Sequence, residues 1–88
     1  WNSLQKLSHL LLCRDAYWKI AGEQMGLGKP WEPDTCQVVY AIARYANEVV
    51  RHNDTYGGLF ILEFPTKEMR DAFYENFKNL IESCKELL

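Results

Sequence analysis

The spacing of hydrophobic positions predicts a helix at each end of this chain. Over residues 2–22, apolar side chains fill one wide arc of a helical wheel. Asn2 and Gln5 are placed as a capping box at its start, and Gly22 is placed as a stop. After Pro65, Thr66 supplies an N-cap oxygen for the second helix. Apolar residues then recur every three or four positions without a break: Met69, Ala72, Phe73, Phe77, Leu80, Ile81, Cys84 and Leu88.

The middle of the chain alternates with a period of two, which is typical of strands. Residues 36–45 carry β-branched and aromatic side chains on one face and smaller apolar ones on the other, so this strand is predicted to be apolar on both faces. A turn at 46–48, with Asn47 in the left-handed conformation, leads to a shorter, more polar strand at 49–52. A second turn cluster at 53–58 precedes a third strand at 59–64.

These elements predict a single α+β domain over residues 1–88, composed of an N-terminal helix, a three-stranded antiparallel meander and a C-terminal helix. The loop between the first helix and the first strand contains Pro30 and Pro33. Because a proline biases the preceding residue towards extended geometry, Trp31 stands on a stiff segment and is expected to cap the core.

The amino-acid composition favours a protein partner over a nucleic acid. In 88 residues, 48% are hydrophobic and 14% aromatic, which is ample for a core and leaves apolar area for a second subunit. A homodimer is therefore predicted. Ten Lys and Arg against twelve Asp and Glu give a net charge of −2, with no block of either sign. This balance argues against binding through a nucleic-acid backbone, which needs a basic surface.

The cysteines indicate a reducing compartment. Cys13, Cys36 and Cys84 are odd in number and widely spaced, so they are predicted to be buried, reduced thiols of a cytoplasmic protein. No metal site and no cofactor is predicted, since no pair shows C-x-x-C or H-x-x-x-H spacing. The apolar run at residues 10–13 is too short to cross a bilayer. The chain begins at Trp1 rather than Met, as expected where native residues precede it.

Two polar positions are candidates for binding or chemistry. Arg14 lies within the apolar arc of the first helix, next to Asp15, where its guanidinium could hold a carboxylate or phosphate ligand, snorkel to solvent or pair internally. His52, followed by Asn53 and Asp54, could supply acid–base chemistry. The alternative for His52 is a solvated strand end, because Asn and Asp are common in turns.

Aromatic residues provide a second candidate surface. Trp31, Tyr40, Tyr45 and Tyr56 could line an open face of the sheet and stack on bases or receive a peptide. The alternative is that these rings complete the core or a dimer interface, where aromatic residues contribute most of the buried area.

Several segments resemble a group of small uncharacterised proteins encoded in gut-bacterial genomes and prophages. They are the Trp31-Glu32-Pro33-Asp34 loop, the Tyr-containing strand, the stretch from Phe64 to Phe73 and the amphipathic tail at 76–88. The resemblance implies a phage-associated context and carries no assigned activity.

The hypothesis that these features favour is a non-enzymatic protein–protein interaction module that self-associates through a sheet edge or an uncovered apolar face. One alternative is a single-stranded nucleic-acid-binding protein that uses the Trp and Tyr rings. The other is a small hydrolase that uses His52.

Overall fold

Two helices and three antiparallel strands follow one another in the predicted order. The computed structural model describes residues 2–88. Its elements are α1 (Ser3–Gln24), β1 (Val38–Tyr45), β2 (Glu48–Tyr56), β3 (Leu62–Phe64), α2 (Lys67–Ser83) and a short 3-10 helix (Lys85–Leu87). The predicted α+β class is confirmed, as are both predicted helix starts. Asn2 and Gln5 form the capping box of α1, and Thr66 Oγ1 accepts a hydrogen bond from the Met69 amide at the start of α2.

The strand order corrects the predicted meander. The sheet runs β2-β1-β3, so β1 is central and β3 pairs with β1 rather than with β2. β1 meets β2 from Val38↔Tyr56 to Tyr45↔Glu48, and it meets β3 from Tyr40↔Phe64 to Ile42↔Leu62. β1 buries three consecutive residues, Ala41, Ile42 and Ala43, which agrees with the prediction of a strand that is apolar on both faces.

β2 continues beyond the predicted end at His52 because it contains a β-bulge. The pairs Val39↔Thr55 and Ala41↔His52 leave Asn53 and Asp54 opposite a single residue of β1. Asp54 has φ 53°, a left-handed conformation that Asp tolerates better than most residues. The turn-like composition at 53–54 therefore marks an irregular strand, not a turn. In the hairpin turn before β2, Ala46 takes positive φ (55°), not Asn47 as predicted.

β3 is shorter than predicted because Glu63 binds the chain that precedes it. Its buried carboxylate accepts hydrogen bonds from the amides of Gly58 (2.8 Å), Leu59 (3.1 Å) and Phe60 (3.0 Å). These three donors bond to a side chain instead of a neighbouring strand, so the alternating residues 59–61 form a loop.

The apolar stripe of α2 packs on the sheet, as predicted. The main core cluster combines Leu10 of α1 with residues of β1, β3 and α2 and the residue that follows α2: Ile42, Leu62, Phe64, Phe73, Ile81 and Cys84. Phe73 lies at its centre, with ring centroids 4.9 Å from Phe64 and 5.1 Å from Tyr17. Phe77 is only half-buried, and the helix departs from regular geometry there (φ −124°, ψ 20°).

Trp31 caps the core as predicted, whereas the predicted helix stop at Gly22 is wrong, because α1 continues to Gln24. The Trp31 ring is buried with Ala21 and Val39, stands edge-on to Trp18 at 5.6 Å, and its amide donates to the Trp18 carbonyl at 2.9 Å. The loop thus returns across the end of the helix. Gly22 remains helical and lies against this returning chain, where a Cβ would collide with the Lys29 carbonyl oxygen.

Candidate functional site

The candidate aromatic residues do not form one surface. Trp31 is buried, and Tyr40 is partly covered, with the Arg70 guanidinium 5.9 Å from its ring centroid. Tyr45 and Tyr56 are largely exposed, but they lie at opposite ends of the β1–β2 ladder. The ends of the ladder are seven residue steps apart along β1, or about 23 Å at about 3.3 Å per step. The structure therefore separates the rings that the sequence suggested as a stacking platform.

Arg14 makes internal contacts with all parts of its guanidinium. Nε and Nη2 donate to Asp15 Oδ1 at 3.1 and 2.8 Å, and Nη1 donates to the Ile61 carbonyl at 3.1 Å. The group also lies 4.1 Å from the centroid of the Trp18 ring. These contacts tie α1 to the loop before β3, which matches the internally paired alternative for Arg14.

His52 lies on β2 and stacks on a neighbouring ring. Its imidazole is nearly parallel to Phe60, with the centroids 5.0 Å apart and the planes at 15°. Within residues 2–88, the imidazole itself makes no hydrogen bond to another protein group, while the His52 carbonyl accepts one from Arg70 at 2.8 Å. The backbone of this residue, rather than its ring, thus belongs to a polar cluster.

That polar cluster surrounds a cleft of about 360 Å³ between β2 and the first turn of α2. We call it the bulge cleft, and it is lined by Arg51, Asn53, Lys67, Arg70 and Asp71. The sequence interpretation placed Arg51 and Asn53 at a strand end and a turn, without linking them to α2. Arg70 stands three residues before Phe73, so a charged side chain on the apolar stripe was the signal that could have revealed the site.

Arg70 is the organising residue of the bulge cleft. Its side chain is 2% exposed, Nε donates to Asp71 Oδ1 at 2.9 Å, and Nη1 donates to the His52 carbonyl and to Asn53 Oδ1 at 2.8 and 2.7 Å. A buried guanidinium needs such partners, because removing it from water is costly otherwise. Asp71 Oδ1 also lies 3.4 Å from Arg51 Nη1, so one carboxylate bridges two arginines.

A second feature is an exposed apolar row on the outer surface of α1. Residues four apart lie along one ridge of a helix. Leu4, Leu12 and Ile20 on this ridge are 67%, 70% and 48% exposed, and because residues four apart are offset by about 40°, the ridge turns by about 80° on each side of Leu12. The exposed residues Ser8 and Ala16 lie between them. We call this set of five residues the α1 outer row.

The three cysteines differ in their surroundings, which corrects the prediction that all are buried. All three are free thiols, with Cys84 buried, Cys13 half-buried and Cys36 exposed. Cys36 lies in the turn before β1, where its amide donates to Asp34 Oδ1 at 2.8 Å. Burial raises the pKa of the Cys84 thiol, and the nearby Glu86 carboxylate raises it further. Burial also raises the pKa of Cys13.

Over residues 2–88, no helix combines the length and the apolar character needed to cross a bilayer. Comparisons with protein-family models, with curated proteins and with solved structures gave no significant match, so the geometry of this chain alone carries the functional argument.

Proposed function

We propose that this protein is a non-enzymatic interaction module that pairs with a second copy of itself through the α1 outer row. The observation that carries the proposal is the exposure of Leu4, Leu12 and Ile20 along one helix ridge. Exposed apolar rows of this kind gain free energy when a partner removes them from water.

The order of residues in the row supports a second copy as the occupant. It reads large, small, large, small, large and is nearly symmetric about Leu12. If two α1 helices cross antiparallel with a two-fold axis at Leu12, the two Leu12 side chains meet at the crossing and each Ser8 faces the partner's Ala16. An isologous interface requires this kind of self-complementary surface. Packing of ridges spaced by four residues is also the commonest way in which helices cross.

The charges beside the row are compatible with the same register. Asp15 would face the partner's His9, and Lys19 would face the partner's Gln5, so no like charges are opposed. Like charges across an interface disfavour association, and their absence here favours the antiparallel register. From Ser8 to Ala16 the row is about 12 Å long at about 1.5 Å per residue, and this is the part of the ridge that a helix crossing covers, with Leu4 and Ile20 flanking it.

The first experiment compares two leucine variants of similar exposure by gel filtration with light scattering at micromolar concentration. The unmodified chain is expected to have twice its 10.3 kDa mass, and Leu12→Glu is expected to be a monomer with unchanged circular dichroism. Leu59→Glu is the matched control, because Leu59 is 67% exposed against 70% for Leu12 but lies in the loop before β3. A monomeric unmodified chain, or loss of the dimer in both variants, would overturn the proposal.

Cysteine cross-linking tests the register in a Cys36→Ser background, which removes the exposed native thiol. Leu12→Cys is expected to oxidise to a covalent dimer, because residue 12 lies on the symmetry axis. Leu4→Cys alone is expected to stay uncoupled, since residue 4 lies about 12 Å along the helix from the symmetry axis. Efficient coupling through residue 4 alone would contradict the antiparallel arrangement.

The cysteines and the sequence resemblance support a proposal about the compartment and the source of the protein. We place the protein in the cytoplasm, since free thiols such as the exposed Cys36 persist in a reducing compartment. The link to gut bacteria and prophages remains a prediction that rests on the resemblance of the Trp31–Asp34 loop and the terminal helix.

A further inference from the structure

We propose that the bulge cleft binds a phosphoryl group. Three cationic side chains line the cleft, those of Arg51, Lys67 and Arg70, against the single carboxylate of Asp71. The lining therefore carries a local charge of about +2 in a chain whose net charge is −2. A phosphoryl dianion balances this charge, and arginine recognises phosphate oxygens through paired N–H donors.

Arg70 supplies a donor that is already oriented. Two of its nitrogens are fixed by Asp71, His52 and Asn53, whereas Nη2 has no hydrogen-bond partner within residues 2–88. Every fully buried side-chain nitrogen and oxygen described in the structure has a partner, so Nη2 reaches the surface of the cleft. A guanidinium held in place by its neighbours loses little conformational entropy when it binds an anion.

The bulge provides a second oriented donor. Asn53 Oδ1 accepts from Arg70 Nη1 at 2.7 Å, so the Asn53 amide group has its oxygen occupied and its two N–H donors available. Asp71 already occupies the side of the cleft between the two arginines. The ligand is thus expected on the Lys67 and Asn53 side, where no carboxylate lines the cleft.

A macromolecule is a weaker explanation of this cleft than a small anion. The lining is almost entirely polar, it contains no exposed aromatic ring for a base, and its charge is confined to four side chains. The site also shares no residue with the α1 outer row, so it does not depend on self-association. The two proposals can therefore fail separately.

The test is a titration of the ¹⁵N-labelled chain with inorganic phosphate, followed by NMR at constant ionic strength. Saturable shifts are expected at the amides of Arg51, Asn53 and Lys67 and at the Asn53 side chain. Combining Arg51→Gln with Lys67→Gln is expected to weaken phosphate binding at least tenfold, because both charges line the cleft. Lys29→Gln, in an exposed loop elsewhere, is expected to leave the affinity unchanged.

Two further titrations identify the chemistry. The first uses O-phosphoserine, which represents a phosphoryl group attached to a larger molecule. Tighter binding of O-phosphoserine than of inorganic phosphate would identify an attached phosphoryl group as the ligand, and tighter binding of inorganic phosphate would identify the free ion. Sodium acetate tests for general carboxylate binding. Acetate affinity equal to that of phosphate, shifts outside the cleft, or no saturable shifts would overturn the proposal. The Leu12→Glu variant is expected to bind phosphate as well as the unmodified chain does.

Discussion

At the scale of single residues, Gly22 and Glu63 show how one position can determine the path of the chain. Gly22 allows the loop to return against α1, which brings Trp31 onto the core. Glu63 holds three amides of the loop before β3 and so keeps residues 59–61 out of the sheet. Gly22 lies against the backbone of the returning loop, and Glu63 binds backbone amides. Because both partners are backbone atoms, the residue types in the sequence do not reveal these contacts.

Gly22→Ala is expected to destabilise the protein, although alanine favours helices over glycine by about 1 kcal/mol. The new Cβ would collide with the Lys29 carbonyl oxygen and lie 3.0 Å from Pro30 Cα, both of which are backbone atoms. Overpacking of this kind costs about 1–3 kcal/mol. Urea denaturation monitored by circular dichroism measures the change.

The control for this substitution is Glu23→Ala, at an exposed position of the same helix. It is expected to change the free energy of unfolding by less than about 0.5 kcal/mol. If Gly22→Ala proved as stable as the unmodified chain, the tight approach of loop and helix would be wrong.

At the scale of elements, α2 illustrates both the success and the limit of periodicity. The three- and four-residue spacing correctly predicted a helix that packs on the sheet, because burial of one face requires that spacing. The spacing does not show which residues of the stripe are most deeply buried. Phe73 is fully buried, whereas Phe77 stands at an irregular turn of the helix and remains partly exposed.

Phe73→Ala is therefore expected to cost more stability than Phe77→Ala. Loss of a fully buried Phe ring typically costs about 3–5 kcal/mol, through lost burial and the cavity left behind. Phe77 retains contact with Phe73 at 4.8 Å but already exposes part of its surface, so its loss removes less buried area. Urea midpoints of the two variants at equal protein concentration make the comparison. Equal or reversed effects would count against the observed orientation of α2.

At the scale of the whole molecule, the start of α1 and the 3-10 helix after α2 are joined by a side-chain contact. Ser3 Oγ donates a hydrogen bond to Glu86 Oε1 across 83 positions of sequence. This bond lowers the pKa of the Glu86 carboxyl and is the largest cause of the shift. A hydrogen bond from the Glu86 backbone is the next largest cause, and the charges of Lys6 and Arg44 also lower the pKa.

This contact predicts a pH-dependent contribution to stability. Because the pKa of Glu86 is lower in the folded chain than in the unfolded chain, the stabilisation is present above the unfolded pKa. It is lost as the pH falls through the folded pKa. Ser3→Ala is expected to lower the urea midpoint near neutral pH and to have less effect in acid.

The measurement is the difference in urea midpoint between Ser3→Ala and the unmodified chain across the acidic range. A ¹³C NMR titration of the Glu86 carboxyl should show its pKa rising towards the ordinary value in the variant. Ser83→Ala is a suitable control, since Ser83 donates to the Leu80 carbonyl and not to a carboxylate. A midpoint difference that does not vary with pH would contradict this role of Glu86.

The sequence by itself determined the α+β class, the order of elements, both helix starts and the burial of Trp31. These features depend on local capping and on the periodicity of hydrophobic positions, both of which are set by residues close together in the sequence. Only the tertiary structure decided the β2-β1-β3 order, the bulge at residues 53–54 and the bulge cleft. The physical reason is that β3 and Arg70 act through partners far along the chain, and such contacts leave no local pattern. Glu63 binds backbone amides, which every residue type except proline carries, so its partners leave no pattern of residue types either.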